Sequence, residues 1–550
     1  MSRKYVIGLD FGTKSGRALL VDVNNGEQIA QSISDYSNGV MDTIFYDGTP
    51  LDNGWALQHP LDYICVLEQT ISSVLLESNI SSSEIIGLSV DFTSCTVLPV
   101  DKNNVPLCTY EHFAKRPHAY VKLWKHHAAV SQTDRINELL ETLKIADHPR
   151  FGGKVSSELM LPKVMQILEE DPEIYEAADC FLEAMDWISR VLTEKKYRSG
   201  SAAAYKAMWF EAEGYPSKDF FKALNPDLEH FVQEKLSGEI CSVGRKFGEL
   251  TEPWAKKLGL LPGTAVGTGI IDAHAALPGC GIMRPGQMML ALGTSSVQMV
   301  LNDKPYSGKG IMGGIMGGVI PGYYALESGL AGVGDIFEWF INNAVPCRYQ
   351  ETAKLEKINL YQYLGNLIKE KKPGETGLLA LDWWNGNKTP FINSELSGIV
   401  LGYSMSTKPE EIYRTLLEAV GFGTLAIIEA FEMSGLIIDE VYACGGIAEK
   451  DPVFMQIVAD ITNREIIIAG SKQTAALGAA MYASVAAGSI RGGHDKITDA
   501  VQAMARCKDI SYKPKSDYKE HYLVLYNIFK ELSNFFGKSS IMQTLKALSR

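Results

Sequence analysis

The stretch Val6 to Val23, VIGLDFGTKSGRALLVDV, constrains this chain more than any other. An apolar run (Val6, Ile7, Leu9) carries an acid at Asp10, breaks into the turn Gly12-Thr13-Lys14-Ser15-Gly16, and resumes as Ala18 to Val23. Two β-type runs around a small polar turn predict a hairpin. The glycines let backbone N–H groups approach phosphate oxygens and Thr13 adds a hydroxyl, so Gly12 and Thr13 are candidate phosphate contacts. Asp10, at the mouth of the turn, is placed to hold Mg²⁺ through water, as magnesium prefers. An ordinary N-terminal hairpin is the plain alternative, and these residues alone leave it open.

The same pattern returns later. MMLALGTSSVQMVL (288–301) is again an apolar run, a Gly293-Thr294-Ser295-Ser296 turn and an apolar run, a weak internal repeat. At 550 residues the chain exceeds one core. A boundary near Pro262 to Thr268 divides it into units 1–265 and 266–550. Short strands alternating with helices, such as Ile85 to Asp91 after the helix Leu61 to Leu76, predict an α/β class. The region 119–200 reads as a helical insertion on the first unit. Thr407-Lys408-Pro409-Glu410 reads as a capping box opening a helix to about Met433, and Asp517 to Phe536 as a C-terminal helical tail docking on the body.

Asp272, in GTGIIDAHAA, is the candidate catalytic base: small residues around it let backbone pass close to a ligand, and a carboxylate can accept a hydroxyl proton in phosphoryl transfer. Its structural alternative is a helix N-cap, and His274 reads as a packed histidine rather than a ligand. Gly293, Thr294 and Ser295 offer donors to phosphate, and Gly445-Gly446, between a strand and a helix, lets a base or ribose lie against backbone. The Gly-x-Gly at 267–269 lacks the third glycine of a dinucleotide fingerprint, and Gly537-Lys538-Ser539 ends an amphipathic helix without the first glycine of a P-loop. GGIMGG (313–318) reads as a glycine-rich loop or connection, and KLWKHH (122–127) as a solvated helix face.

A net charge of −13 argues against non-specific nucleic-acid binding. Nine scattered cysteines with no Cys-x-x-Cys pair predict neither a zinc site nor a disulfide framework, and point to a reducing compartment. With no apolar run near the roughly 18–20 residues of a membrane span and no signal-like leader, the expectation is a cytoplasmic protein without membrane partners.

GLDFGT, LGTSS and CGGIA together resemble the ATPase fold shared by actin, hexokinase and the heat-shock chaperones. Longer blocks, among them WALQHPLDY, SVDFTSCTVLPVD, FGGKVSSELMLPK, YKAMW, DAHAALPGCG and LLALDWWNGNKTP, are similar to the FGGY carbohydrate kinases, with DFTSCT and QHP pointing to the ribulokinase branch. The resemblance implies two ribonuclease-H-like domains around a catalytic cleft, sugar bound mainly by the first and ATP mainly by the second. It implies ATP and Mg²⁺ as cofactors, phosphorylation of L-ribulose to L-ribulose 5-phosphate, and a homodimer. Alternatives are another ketopentose or pentitol kinase (ribitol, xylulose or D-ribulose) or an ATP-gated clamp. By the same resemblance Asp272 is the base, Asp10 the Mg²⁺ residue, and Gly12, Thr13, Gly293, Thr294, Ser295, Gly445 and Gly446 contact the nucleotide. Ser94, Cys95, Thr96, Lys206, Asp272 and Glu327 are implied to bind sugar. The chain departs from the family around Glu327, reading LESGL where YEAGQ is usual, which bears on sugar preference.

Overall fold

The two apolar runs of the opening hairpin pair antiparallel as strands Tyr5–Phe11 and Ser15–Asp22, from Tyr5 opposite Asp22 to Phe11 opposite Gly16. A computed structural model of the chain describes residues 3–146, 148, 150–151, 153–306, 308 and 310–549. Gln28–Asp35 adds a third antiparallel strand, and Ile85–Phe92 lies parallel to Tyr5–Phe11 on its other side. Ala265–Gly267 and Ile270–Ile271 continue the sheet in parallel along Ile85–Phe92, and Lys246–Glu249 closes the edge. Every residue of Tyr5–Phe11 and Ile85–Phe92 is buried, as central strands covered on both faces require.

The second half repeats this order. Gln287–Leu292 and Ser296–Asn302 form a hairpin, and Tyr324–Ser328 and Met312–Met316 extend it antiparallel. Glu440–Cys444 and Ile466–Ala469 follow in parallel on the far side, with Cys507–Tyr512 at the edge. An antiparallel run opened by a hairpin, three strands in the first half and four in the second, followed by two parallel strands, is the ribonuclease-H-like α/β arrangement the resemblance implied. The weak sequence repeat is therefore a structural one.

Local chemistry sets the helix ends. Pro60 starts Pro60–Ser78, where Leu61 N–H donates to the His59 ring, and Asn79 ends it at φ 55°. Asp451 caps Pro452–Thr462 through Phe454 N–H at 2.9 Å. The long helix is Pro409–Glu432, but the residue before it is Lys408, whose N–H donates to Glu411 at 2.9 Å; the Thr407 hydroxyl instead accepts from Ser404 N–H. The tail helix Lys519–Lys538 docks as expected, burying Tyr522, Tyr526 and Phe529 in the second core.

The structure adds to one expectation and corrects two. Region 119–200 carries the expected helices, Val130–Leu143, Met160–Glu170, Pro172–Ala177 and Ala184–Thr193, and also Val121–Lys122 and Cys180–Glu183, which join Leu57–Gln58 and Val97–Val100 in a four-stranded sheet over a third apolar cluster. KLWKHH is not a solvated helix face. Lys122 lies on that sheet, and it and His126 are both fully buried. The Lys122 ammonium stands 4.1 Å over the Trp55 ring and donates to Gln166 at 3.1 Å, which replaces the water it gave up. The first residues of GGIMGG also belong to an edge strand, Met312–Met316, rather than to a loop.

The halves are joined by a helix crossing. Thr474–Ala487 comes from the second half of the chain but packs on the first sheet, against Tyr5–Phe11, Ile85–Phe92 and the helix Asp272–Gly279. The approach is backbone to backbone: a Cβ on Gly478 would sit 1.7 Å from Ala275 O, and one on Gly8 1.8 Å from Ala476 O. Any side chain at either glycine would force the crossing apart.

Candidate active site

The parallel register places Asp10 directly opposite Asp91, and Ile270 opposite Asp91 on the other side. Asp272 follows two residues later as the first residue of its helix. Three carboxylates thus converge from three chain segments at one end of the first sheet. Asp10 Oδ2 accepts from Arg17 Nη1 at 3.1 Å, and the same guanidinium nitrogen lies 3.4 Å from Gln473 Oε1, just before the crossing helix. Burial raises the Asp10 pKa against the opposing charge of Arg17. Asp91 is fully buried and neither of its oxygens meets a donor; burial and then the Asp10 charge hold its pKa well above the ordinary carboxylate range.

Asp272 is half-buried, and its Oδ1 accepts Ala273 N–H at 2.7 Å. The carboxylate therefore meets one amide of its helix but is not its N-cap, which is Ile271, and it carries a pKa suited to proton transfer. Desolvation first, and then the Asp10 charge, push it up to about 7. His274, two residues on, is fully buried, with Nε2 3.0 Å from Glu327 Oε2.

Glu327 sits on the strand Tyr324–Ser328 of the second sheet, and Lys206 ends the helix Gly200–Lys206 of the first half. Burial alone would raise the Glu327 pKa, but Lys206 and then His274 outweigh it and hold the carboxyl at about 2; Glu327 in turn raises Lys206. The two form an electrostatic pair without direct ion-pair contact. Leu326 and Leu330, the leucines of LESGL, point away from Glu327 into the second core. Strand alternation puts Leu326 on the face opposite Glu327, Leu330 is buried beyond the strand end, and the Ser328 hydroxyl donates to Gly310 O at 2.9 Å.

Of the segment Ser94 to Thr96, only Ser94 keeps exposed surface. Cys95 is buried at φ 54°, and burial pushes its thiol up to about 12. The Thr96 hydroxyl turns inward to Thr93 O at 2.9 Å while its N–H donates to Glu183 Oε2 at 3.0 Å. Lys163 clamps the loop from below by donating to Cys95 O at 2.5 Å. Cys95 and Thr96 therefore shape this loop rather than present polar atoms from it.

The two glycine turns differ in what they need. A Cβ at Gly446 would meet nothing within 4 Å, and at Gly293 only Ser295 O at 3.8 Å, so open space lies beside both. Gly445, at φ 94°, is a glycine for a structural reason, since a Cβ there would lie 2.2 Å from Leu292 O. Gly293 and Thr294 carbonyls accept from Gly334 N–H (3.1 Å) and Val333 N–H (2.8 Å), which ties this turn to the start of Gly334–Ala344. In the first turn, Gly12 N–H donates to Ser15 O at 3.0 Å, and the Thr13 hydroxyl accepts from the Trp124 indole at 3.0 Å.

Arg17, Asp91, Trp124, Lys163 and Glu183 were not singled out by sequence. Asp91 had a signal, an acid ending an apolar strand as Asp10 does; Arg17 is the hairpin partner of Asp10, and Trp124, Lys163 and Glu183 are brought to the site by segments remote in sequence.

The FGGY family N-terminal domain model matches residues 5–279 and the C-terminal domain model residues 288–487. The chain is 48% identical over 551 residues to a protein named ribulokinase from Halalkalibacterium halodurans, covering 100% of this chain and 98% of that one. It is 36% identical over 548 residues to a ribulokinase from Staphylococcus aureus, covering 99% of each. The crystal structure of xylulose kinase from Rhodospirillum rubrum superposes with a TM-score of 0.80 at 24% identity, covering 97% of this chain and 99% of that one. Two family models end to end and relatives matched over their whole length make this chain a member of the FGGY family of carbohydrate kinases.

Proposed function

We propose that this chain transfers the γ-phosphoryl group of ATP to the terminal hydroxyl of L-ribulose, giving L-ribulose 5-phosphate in arabinose catabolism. The observation that carries the reading is Asp272. A carboxylate with a pKa of about 7, at a helix start and beside the Lys206–Glu327 pair, suits a base acting on a sugar hydroxyl. Similarity to proteins named ribulokinase supplies the choice of sugar.

In this reading Lys206 donates to, and Glu327 accepts from, the sugar hydroxyls, and Ser94 adds a contact at the rim. Asp272 takes the proton of the attacking hydroxyl. Gly12 and Thr13 approach the transferred group, Gly293, Thr294 and Ser295 the ATP phosphates, and Gly446 with Gly445 the adenosine. Closure of the halves about the helix crossing excludes water from the phosphoryl group.

The residues fit a hydrated divalent cation. Asp10 and Asp91 supply oxygen alone, both Asp91 oxygens lack a donor, and a cation there would oppose the burial that raises the Asp91 pKa. Among the described residues no group of three or more His, Cys, Asp or Glu side chains forms a metal cage, which suits an ion carried largely by substrate phosphates. When bound, Mg²⁺ supplies charge neutralisation on the phosphates, and Asp10 would hold it. No helix among the described residues is long and apolar enough to cross a membrane, and the nine cysteines are free thiols, which supports a cytoplasmic enzyme. The homodimer is checked by sedimentation.

The deciding experiment is coupled ADP release with Mg-ATP across L-ribulose, D-ribulose, D-xylulose, L-xylulose, ribitol, L-arabinitol and glycerol. Preference for L-ribulose is expected. Preference for another polyol overturns the substrate, and no sugar-dependent release overturns the kinase reading.

A further inference from the structure

His274 has no solvent exposure, yet both of its ring nitrogens are engaged. Nε2 lies 3.0 Å from Glu327 Oε2 and Nδ1 3.0 Å from Ser201 Oγ. The Tyr205 ring stands edge-on to it, centroids 4.5 Å apart at 70°. A carboxylate oxygen only accepts, so Nε2 carries the proton, and Nδ1 accepts from the Ser201 hydroxyl. Burial, the largest influence, holds the imidazole below its ordinary pKa, so it is a neutral donor.

This chain of contacts joins three elements: the helix that ends in Lys206, the helix that begins with Asp272, and the strand that carries Glu327. A glutamate on a strand has three rotatable side-chain bonds and would otherwise be free to turn its carboxylate. With Oε2 occupied by His274, Oε1 is the oxygen left without a partner among the described residues.

We propose that His274 is a positioning residue for the sugar: it fixes Glu327 through Oε2 so that Oε1 accepts a substrate hydroxyl in register with Asp272. The inference rests on the sugar-kinase reading above and deepens it. A histidine kept only for packing would contribute its volume and its edge-to-face contact with Tyr205. A positioning histidine contributes a donor at one defined point, and the two roles separate by substitution.

His274→Phe keeps an aromatic ring against Tyr205 and removes the donor, whereas His274→Gln keeps an N–H that can reach Glu327. A lost hydrogen bond to a charged group predicts that His274→Phe raises KM for the sugar about tenfold to hundredfold, with KM for ATP unchanged. His274→Gln is expected to recover most of that loss, and Ser201→Ala, which frees the imidazole to tilt, to show a smaller rise in the same parameter. Melting temperatures of each variant, taken with and without sugar, separate loss of fold from loss of binding. Wild-type KM in His274→Phe, or equal rises in both KM values, overturns the inference.

If none of the variants folds, the ¹⁵N spectrum of the wild-type protein decides. A proton on Nε2 of His274 supports the inference and a proton on Nδ1 overturns it. The two readings fail differently: no sugar turnover by the wild type removes the kinase assignment and this inference with it. Normal turnover with an indifferent His274→Phe removes this inference alone.

Discussion

Asp10 and Asp91 face each other as register partners on adjacent parallel strands, but only Asp10 has a cation, Arg17, at 3.1 Å. Two acceptors meet in a buried place with one guanidinium, and of the two it bonds Asp10 alone. Burial first, and then the Asp10 charge, raise the pKa of Asp91.

That pairing has a pH signature in stability. A carboxyl whose folded pKa lies above its unfolded value of 3.8 contributes stability that is present below about pH 4 and is lost as pH rises through the folded pKa. Asp91→Asn keeps the shape, removes the titration and offers Asp10 an N–H donor. The variant is expected to melt several degrees above wild type at pH 8, with the gap closing toward pH 4, as read by scanning calorimetry. An equal gap at every pH refutes the electrostatic account.

For Asp272 the pH effect is on rate. With a pKa of about 7, the ionised base accumulates only above neutrality, so kcat/KM is expected to rise up to about pH 7 and then level off. Asp272→Asn is expected to lower kcat by about 10²–10⁴ or more and to abolish this limb, with sugar binding retained by calorimetric titration. Near-normal turnover in the variant would remove Asp272 from the role.

Lys206→Met tests the sugar side. It takes away the charge that most lowers the Glu327 pKa, so that pKa is expected to climb from about 2. Sugar KM is expected to rise at least tenfold while KM for ATP holds. An unchanged sugar KM counts against Lys206 as a ligand.

The helix crossing is tested at a distance from the chemistry. Gly478→Ala would place a methyl 1.7 Å from Ala275 O, so the helices must separate. A loss of about 1–3 kcal/mol in unfolding free energy is expected, with a fall in kcat because Asp272 begins the displaced helix. Urea titration and initial rates check both; a variant with unaltered kcat would show that the base tolerates the shift.

Much of this was legible in local sequence. The hairpins at Asp10 and Gly293, the strand ending at Asp91 and the tail helix all carry short-range patterns of apolar period and turn chemistry. KLWKHH misled for a physical reason: charge predicts exposure only when nothing inside can replace water, and Trp55 and Gln166 do so for Lys122. Cys95 and Thr96 misled similarly, because Lys163 and Glu183, distant in sequence, decide which way that loop faces.

By itself the sequence determined the strands of the two hairpins and the one ending at Asp91, where the glycine turns fall, that the second half repeats the first, and which carboxylate stands at a helix start. Those are consequences of side-chain period and backbone freedom within a few residues. Only tertiary structure decided that Asp10, Asp91 and Asp272 share one sheet end, that a helix from the second half packs on the first sheet, and that His274 holds Glu327. Those relations depend on strand register and on backbones brought together from hundreds of residues apart, and a linear pattern carries neither.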